Sequence, residues 1–298
     1  MKIFINEPGE DWICDRVRHE FISNNQDICV DNIEDSDLVW VIAPWMFHQY
    51  DKLAEKKSIF SIYHITPEKF NPQNLSLINH FATSIHTICE STKKFLENHT
   101  HKKITVAPFW VNQNIWFEMD KIECRKKLGL PEESFIIGSF QRDTEGHDLI
   151  SPKLEKGPDQ FCDIIEKIYS ENKNIHILLG GWRRNYIISR LESKNIPFTY
   201  MERPDFKVLN IMYNCLDLYL VSARHEGGPQ SIPESCITKT PIISTNVGCA
   251  EVFLNKKSIY NFPYFEESKP DIEYGFSKVQ KYLIPSGFDS FYKMFDET

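Results

Sequence analysis

Glycine is scarce in this chain and unevenly placed. Only 12 of 298 residues are glycine, and Gly9 is the only one before residue 113. Backbone comes close to a phosphate only where side chains are absent, so any phosphate cradle is expected in the second part of the chain. Neither GxGxxG nor GxxxxGK[ST] occurs, which argues against nicotinamide-dinucleotide and P-loop enzymes. The hydrolase signatures GxSxG and HExxH are missing as well. There is no basic excess: 34 Lys+Arg stand against 42 Asp+Glu, a net charge of −8. The first 112 residues and the remainder are each mildly acidic, so no stable nucleic-acid binding is expected. The longest apolar run, Leu38 to Phe47, is interrupted by Pro44 and falls well short of the roughly 20 residues a membrane span needs. The opening MKIFINEPGEDW lacks the apolar stretch of a signal peptide and reads as a first β-strand. Eight cysteines are scattered without a CxxC pair, a pattern of buried reduced thiols, and a cytoplasmic location is expected. No His/carboxylate ligand spacing stands out, His99-x-His101 having no third ligand nearby. No metal is expected.

What is present is a regular alternation. In the first part strands fit Lys2–Asn6, Leu38–Ile42, Ser58–Tyr63, Ile85–Ile88 and Lys103–Ala107, with a weaker one near Ile28–Val30. A helix after Asp11 carries Ile13, Val17 and Phe21 on one face, and another fits Thr92–Asn98. A short helix is capped by Asp120 and stopped by Gly129 and Pro131. In the second part strands fit Phe135–Phe140, Ile175–Leu179, Phe198–Met201, Leu216–Leu220 and Pro241–Thr245, with helices after Gly157, Arg184, Lys207 and Ser231. Strand followed by helix-length crossover is the signature of parallel βαβ units. The expectation is α/β: two Rossmann-like domains with parallel sheets facing across a cleft, ligands lying at the carboxyl ends of the strands. Residues 1–112 are expected to form the first domain, 113–270 the second, and 271–298 a helical tail that crosses back onto the first domain, with helical spacing at Phe276, Val279, Leu283, Phe288, Phe291 and Phe295.

Two stretches could carry chemistry. Glu226-GGPQSIP-Glu234 follows a strand and opens a helix, combining two carboxylates with exposed backbone N–H groups at Gly227 and Gly228. The plain alternative for Glu234 is a capping box with Ser231, and for Glu226 a solvated loop acid. In Gly138-Ser-Phe-Gln-Arg142 followed by Lys156-Gly157, one Arg and one Lys could grip a diphosphate from two sides; the plain alternative is two surface cations. Gly180-Gly181 after a strand would let a ligand approach, or would make a tight turn.

These segments resemble the retaining GT-B glycosyltransferases of family four. Glu226-x7-Glu234 matches that family's donor motif, Pro241-IISTNV-Gly248 with Glu251 its continuation, and Gly138…Arg142…Lys156-Gly157 its cationic segment. IHTICESTKKFL, ITVAPFWVNQNIW and RKKLGLPEESFIIGS resemble the segments leading into its donor domain, and the likeness spans roughly residues 80–252. The chain departs from the pattern in its short first domain and in Glu7-Pro8-Gly9-Glu10, which stands where the family carries a glycine pair. It also departs in a long loop between Arg142 and Lys156 that holds Asp143, Glu145 and Asp148.

The resemblance implies a transferase that moves a sugar from a nucleotide-diphosphate donor to a hydroxyl acceptor (a glycan or lipid favoured) with retention, without a metal and with no cofactor besides the donor. It places the ribose on Glu234 and the donor sugar on Glu226 with Gly227 and Gly228. Arg142 and Lys156 fall on the leaving diphosphate, and Ser139, Gly181 and Pro229 among the donor-binding positions. His64, after the strand Ser58–Tyr63, stands where family members often carry a histidine against the donor sugar; otherwise it packs beside the helix start at Thr66-Pro67. The rival readings are a sugar-nucleotide-binding subunit with little activity of its own and a transferase acting on modified DNA bases. The run Lys93-Lys94 to Lys102-Lys103 is either a basic patch for weak contact with an anionic membrane surface or for a charged glycan acceptor, or the solvated face of a helix and the start of a strand.

Overall fold

The computed structural model describes residues 1–10, 13–147 and 149–298. Asp11, the expected start of the first helix, Trp12, and Asp148 of the acidic loop lie outside the described residues. The chain runs β1 (Ile3–Ile5), α1 (Ile13–Asn24), β2 (Cys29–Val30), β3 (Leu38–Val41), β4 (Lys57–Ser61), α2 (Pro72–Phe81), β5 (Ser84–Thr87), α3 (Glu90–Leu96) and β6 (Lys103–Val106). It continues through α4 (Lys121–Leu128), β7 (Phe135–Ser139), α5 (Pro158–Glu171), β8 (Ile175–Gly181), α6 (Asn185–Ser193), β9 (Phe198–Glu202) and α7 (Phe206–Asn214). The last elements are β10 (Leu218–Val221), α8 (Ser231–Ile237), β11 (Ile242–Thr245), α9 (Ala250–Phe253), β12 (Ile259–Tyr260), α10 (Ile272–Val279) and α11 (Asp289–Asp296). Two compact units result: Met1–Trp110 together with Ile284–Thr298, and Val111–Leu283.

The first unit holds a six-stranded sheet in the order β2-β1-β3-β4-β5-β6, every pairing parallel. A parallel sheet is covered on both faces, so its strands are apolar without alternation; β3, Leu-Val-Trp-Val, is buried at all four positions. Helix α1 buries Val17 and Phe21 as its spacing predicts, and also Glu20, whose Oε2 accepts the indole N–H of Trp110 at 2.8 Å. Helix α2 was not foreseen although its start is written in Asn71-Pro72: the Asn71 side chain accepts from Gln73 N–H, and Pro72 takes the first helical position. Around Phe21 stand aromatic side chains from both ends of the chain. Phe288 lies 4.6 Å from Trp110 and Phe291 5.3 Å from Trp40, ring centre to ring centre, and Phe109 stacks on Phe291 at 5.8 Å.

That cluster sets where the tail divides. The tail was expected to begin at Asp271, but α10 buries Gly275 and Val279 within the second unit, where an added Cβ on Gly275 would stand 2.9 Å from Cys236 Sγ. Only from Ile284 on does the chain belong to the first unit. Within the second unit, Val111 N–H donates to Tyr282 O at 2.8 Å, so the two ends of that segment lie side by side.

The second sheet has the order β12-β11-β10-β7-β8-β9 and is also wholly parallel. Helix α5 lays Phe161, Cys162, Ile164 and Ile165 against it. Strand β12 has two residues, too few to leave a periodic trace in the sequence. All eight cysteines are free thiols, seven of them buried.

In the first unit His86 is buried without charge. Its Nε2 lies 2.8 Å from Ala107 O, which can only accept, so Nε2 carries the proton. Nδ1 then accepts from Ser61 Oγ at 2.8 Å, and Ser61 Oγ accepts the Trp40 indole N–H at 2.9 Å. Burial holds the imidazole down at about 4 from its ordinary 6.5, although the Ala107 carbonyl favours the charged form. The unfolded chain therefore binds the extra proton first. Stability present above pH 6.5 is lost as pH falls toward 4, by about 3 kcal/mol in all. Urea unfolding at pH 7 and pH 4.5 should show this loss in the wild-type chain and a smaller one in His86→Gln.

Candidate functional site

The loops leaving the carboxyl ends of β7, β8, β10 and β11 hold most of the residues singled out by sequence. Strand order makes β7 the neighbour of both β8 and β10, so segments far apart in the chain emerge side by side. Turn 154–157, at the end of the long β7–α5 loop, is fastened to the loop after β10. Glu155 O accepts from Arg224 N–H at 2.9 Å and His225 N–H at 3.0 Å, and Arg224 Nη1 donates to Leu154 O at 2.9 Å. Arg224 also makes a two-pronged pair with Asp159, at 2.7 and 2.6 Å. Gly157 closes the turn at φ 63° where an added Cβ would lie 1.8 Å from Ser222 O, so no other residue fits. Ser222 Oγ returns a bond to Gly157 O at 2.8 Å. The β11 loop is locked similarly: a Cβ on Gly248 would lie 2.3 Å from Gly227 O.

This interlocking brings Lys156 and Glu226 together. Lys156 Nζ is ion-paired to Glu226 Oε1, with 18% and 10% of the two side chains exposed. Glu226 is thus no solvated loop acid. Gly227 and Pro229 are buried and Gly228 half-buried beside it. Glu234 is 5% exposed, and its Oε2 accepts from Tyr213 Oη at 2.8 Å. The capping-box alternative required Ser231 at the cap. Instead Ser231 is the first residue of α8, and the capping position falls to Gln230, which makes no side-chain cap bond.

Arg142 is half-buried at the start of the long loop. The residue after it was read only as part of an acidic stretch, yet Asp143 is 1% exposed and paired with the equally buried Arg184 at 3.1 Å. Arg184 Nη1 also donates to Ser139 O at 2.5 Å and Gly180 O at 2.8 Å, and its Nη2 to Ser139 Oγ at 3.1 Å. Burial pushes the Asp143 carboxyl up, against the pull of Arg184 and of two backbone N–H groups. Ser139 therefore holds Arg184, and Gly181 O accepts from Arg203 N–H at 3.2 Å and Tyr200 Oη at 3.1 Å.

Sequence reasoning missed Tyr213, Arg184 and Lys153. The last lies 3.3 Å from Glu155, and burial, then Arg142, pulls its ammonium pKa down while Glu155 opposes them. None of the three stands in a spacing pattern; Tyr213 and Arg184 are found only once the strand order is known, and Lys153 only from its loop's fold.

His64 belongs to the first unit, exposed in the loop after β4 and ahead of a single helical turn, Pro67–Lys69, with Thr66 at its cap. In the Glu7–Glu10 stretch, Gly9 and Glu10 N–H groups donate to the Asp15 carboxylate at 3.0 and 3.1 Å. Of the basic run, Lys93 lies 3.9 Å from Glu97 and Lys103 2.7 Å from Glu297, so two of its cations face acids. One Asp-x-Asp, Asp35-Ser36-Asp37, escaped the reading of the sequence. Asp37 Oδ2 accepts from Lys2 N–H at 2.7 Å and Asp35 Oδ2 from Asn32 Nδ2 at 3.4 Å. Among the described residues no three His, Cys, Asp or Glu side chains are grouped to hold a metal ion. Nor, among the described residues, is any helix long and apolar enough to cross a membrane.

Replacing Arg184 by Met should cost about 3–5 kcal/mol, the scale for leaving one partner of a buried pair uncompensated. Asp143→Asn combined with Arg184→Met should recover part of that loss. Denaturant unfolding of the two variants checks both statements.

No protein-family model and no curated protein matches the sequence. Solved structures do. The Anabaena protein HepE in complex with UDP and glucose aligns over 100% of both chains, with a TM-score of 0.79 and 12% identity. Sucrose-phosphate synthase from Thermosynechococcus elongatus aligns over 95% of this chain and 77% of its own, with a TM-score of 0.71 and 13% identity. A glycosyltransferase from Rickettsia africae aligns over 98% and 83%, with a TM-score of 0.66 and 14% identity. With its two six-stranded parallel sheets, the chain has the GT-B fold.

Proposed function

We propose that this chain is a retaining glycosyltransferase that moves a sugar from a nucleotide-diphosphate donor to a hydroxyl acceptor without the help of a metal. One observation carries the reading. The second unit carries two half-buried cations, Arg142 and Lys156, and the carboxylate Glu226 on loops at the carboxyl edge of one parallel sheet, with a second carboxylate, Glu234, in the helix α8 that follows. That edge is where such sheets bind ligands. Neighbours of the same fold were solved with UDP, with UDP and glucose, or with UDP-glucose. In this reading Glu234, aimed by Tyr213, accepts the ribose hydroxyls. Glu226 accepts donor-sugar hydroxyls when Lys156 turns to the diphosphate. Arg142 and Lys156 stabilise the charge that gathers on the departing diphosphate, work for which preorganised cations suffice. A glycan or lipid hydroxyl is the acceptor.

The purified chain should show a raised thermal midpoint with one of UDP-, GDP-, ADP- or TDP-glucose. It should release the nucleoside diphosphate when acceptor is added, and keep its activity in EDTA. Binding without turnover over a panel of acceptors would instead favour a sugar-nucleotide-binding subunit. No binding of any of the four would end the donor reading.

The variants should fail differently. Glu234→Ala weakens nucleotide binding, and Tyr213→Phe weakens it by roughly 3- to 10-fold, the worth of one net hydrogen bond. Glu226→Ala lowers kcat more than donor affinity. Lys156→Ala removes about 2–4 kcal/mol of transition-state stabilisation. Titration calorimetry and steady-state kinetics of the four chains separate these effects.

A further inference from the structure

The long loop between β7 and α5 holds a cation that the donor reading leaves without a task. Lys153 Nζ lies 3.3 Å from Glu155 Oε1, and the side chains are only 17% and 8% exposed. Its backbone N–H donates to Asp143 O at 2.8 Å, which places it opposite the residue that follows Arg142. It is also the cap of the helical turn that ends in Lys156. Arg142, Lys153 and Lys156 are thereby gathered on one loop, and both other cations disfavour the charge on Lys153. Glu155 and Glu226 balance Lys153 and Lys156 in the free protein, and a ligand that drew the two lysines off these acids would have to bring that negative charge itself.

The chemistry of transfer supplies such an anion, and its charge changes. A sugar nucleotide carries two negative charges on its diphosphate. In transfer, the bond from the anomeric carbon to the terminal phosphate oxygen breaks with its electron pair on that oxygen. The acceptor's hydroxyl oxygen bonds to the anomeric carbon, and its proton passes to water. Above about pH 7 the departing nucleoside diphosphate carries three charges, because the second ionisation of a terminal phosphate lies near pH 6. Two cations match the donor; three match the leaving group.

We propose that Lys153 is a third diphosphate-binding cation, held by Glu155 in the free protein and matched to the charge that appears as the leaving group departs. The proposal rests on the donor reading above and extends it to a residue outside the motifs. A contact that is stronger in the transition state and product than with the donor raises kcat without tightening the donor complex.

The test is calorimetric titration at pH 8 of wild type, Lys153→Met, Lys153→Arg and Lys156→Met with UDP and UDP-glucose, and with GDP and GDP-mannose. Lys153→Met should weaken the free diphosphate roughly tenfold or more, since a charge-assisted contact is lost. It should change the affinity for the matching sugar nucleotide less than about threefold, and Lys153→Arg should restore wild-type values. Equal losses for both ligands, or no loss for either, would overturn the role of Lys153. The donor reading would still stand if Lys156→Met weakened both. Wild-type protein that binds none of these ligands, nor the corresponding ADP and TDP pairs, would remove the donor reading and this proposal with it. Lys153→Gln provides a second neutral side chain if the Met variant does not fold.

Discussion

A single buried guanidinium organises the site. Arg184 reaches the end of β7 through Ser139, the end of β8 through Gly180, and the first turn of the long loop through Asp143. A charge this deep is tolerable only with an opposite charge and filled hydrogen-bond positions, and the Asp143 carboxylate and three further oxygens provide both. Asp143 in turn accepts from Tyr186 N–H in the first turn of α6 at 3.3 Å, and its carbonyl accepts from Lys153 N–H. The place at which the loop returns toward α5 is therefore fixed by the pair together with the loop's own contacts, the antiparallel bridge of Thr144 with Pro152 and the bond from Glu145 N–H to Ser151 O at 3.0 Å. Lys153 takes its position from it, whereas the turn that carries Lys156 is fastened to Arg224 and His225.

The other half of the constraint is steric. The chain has few glycines, and at Gly157 and Gly248 their use is plain: backbone of one loop lies where a Cβ would stand in another. The loops after β7, β10 and β11 interlock at these points, which allows Glu226 and Lys156 to meet although 70 residues separate them. Sparse glycine in the sequence and close loop packing in the second unit are two views of one fact.

How much of this could be read in advance follows from the range of each signal. Strands such as Leu38–Val41 and Ile175–Gly181 are mostly apolar runs, the second broken only by His176 before its closing glycines, and α1 and α5 show helical spacing, so both sheets were legible. Two-residue β12 left no period, and α2 was passed over although Asn71-Pro72 marks its start. Glu226, Glu234, Arg142 and Lys156 were legible because they fall in a short motif or beside a glycine. Asp143 with Arg184, Glu234 with Tyr213, and Lys153 with Glu155 were not. The first two pairs are joined by strand order across 41 and 21 residues. In the third, a Lys two residues before a Glu is too common a pattern to single out.

The free site is close to electrically balanced within itself: Lys156 faces Glu226, and Lys153 faces Glu155. Balance of this kind keeps half-buried charges tolerable before a ligand arrives. It also means that an entering dianion cannot simply add to the cations; it has to take the acids' place beside them. A ligand made only of phosphate would leave Glu226 uncompensated in a half-buried position, which is unfavourable. A ligand that brings hydroxyl donors beside its phosphates supplies Glu226 with hydrogen bonds as Lys156 leaves it. In the proposed reading the pairing favours a sugar attached to a phosphate over an inorganic anion, because only the sugar offers hydroxyl donors to the acid that Lys156 leaves.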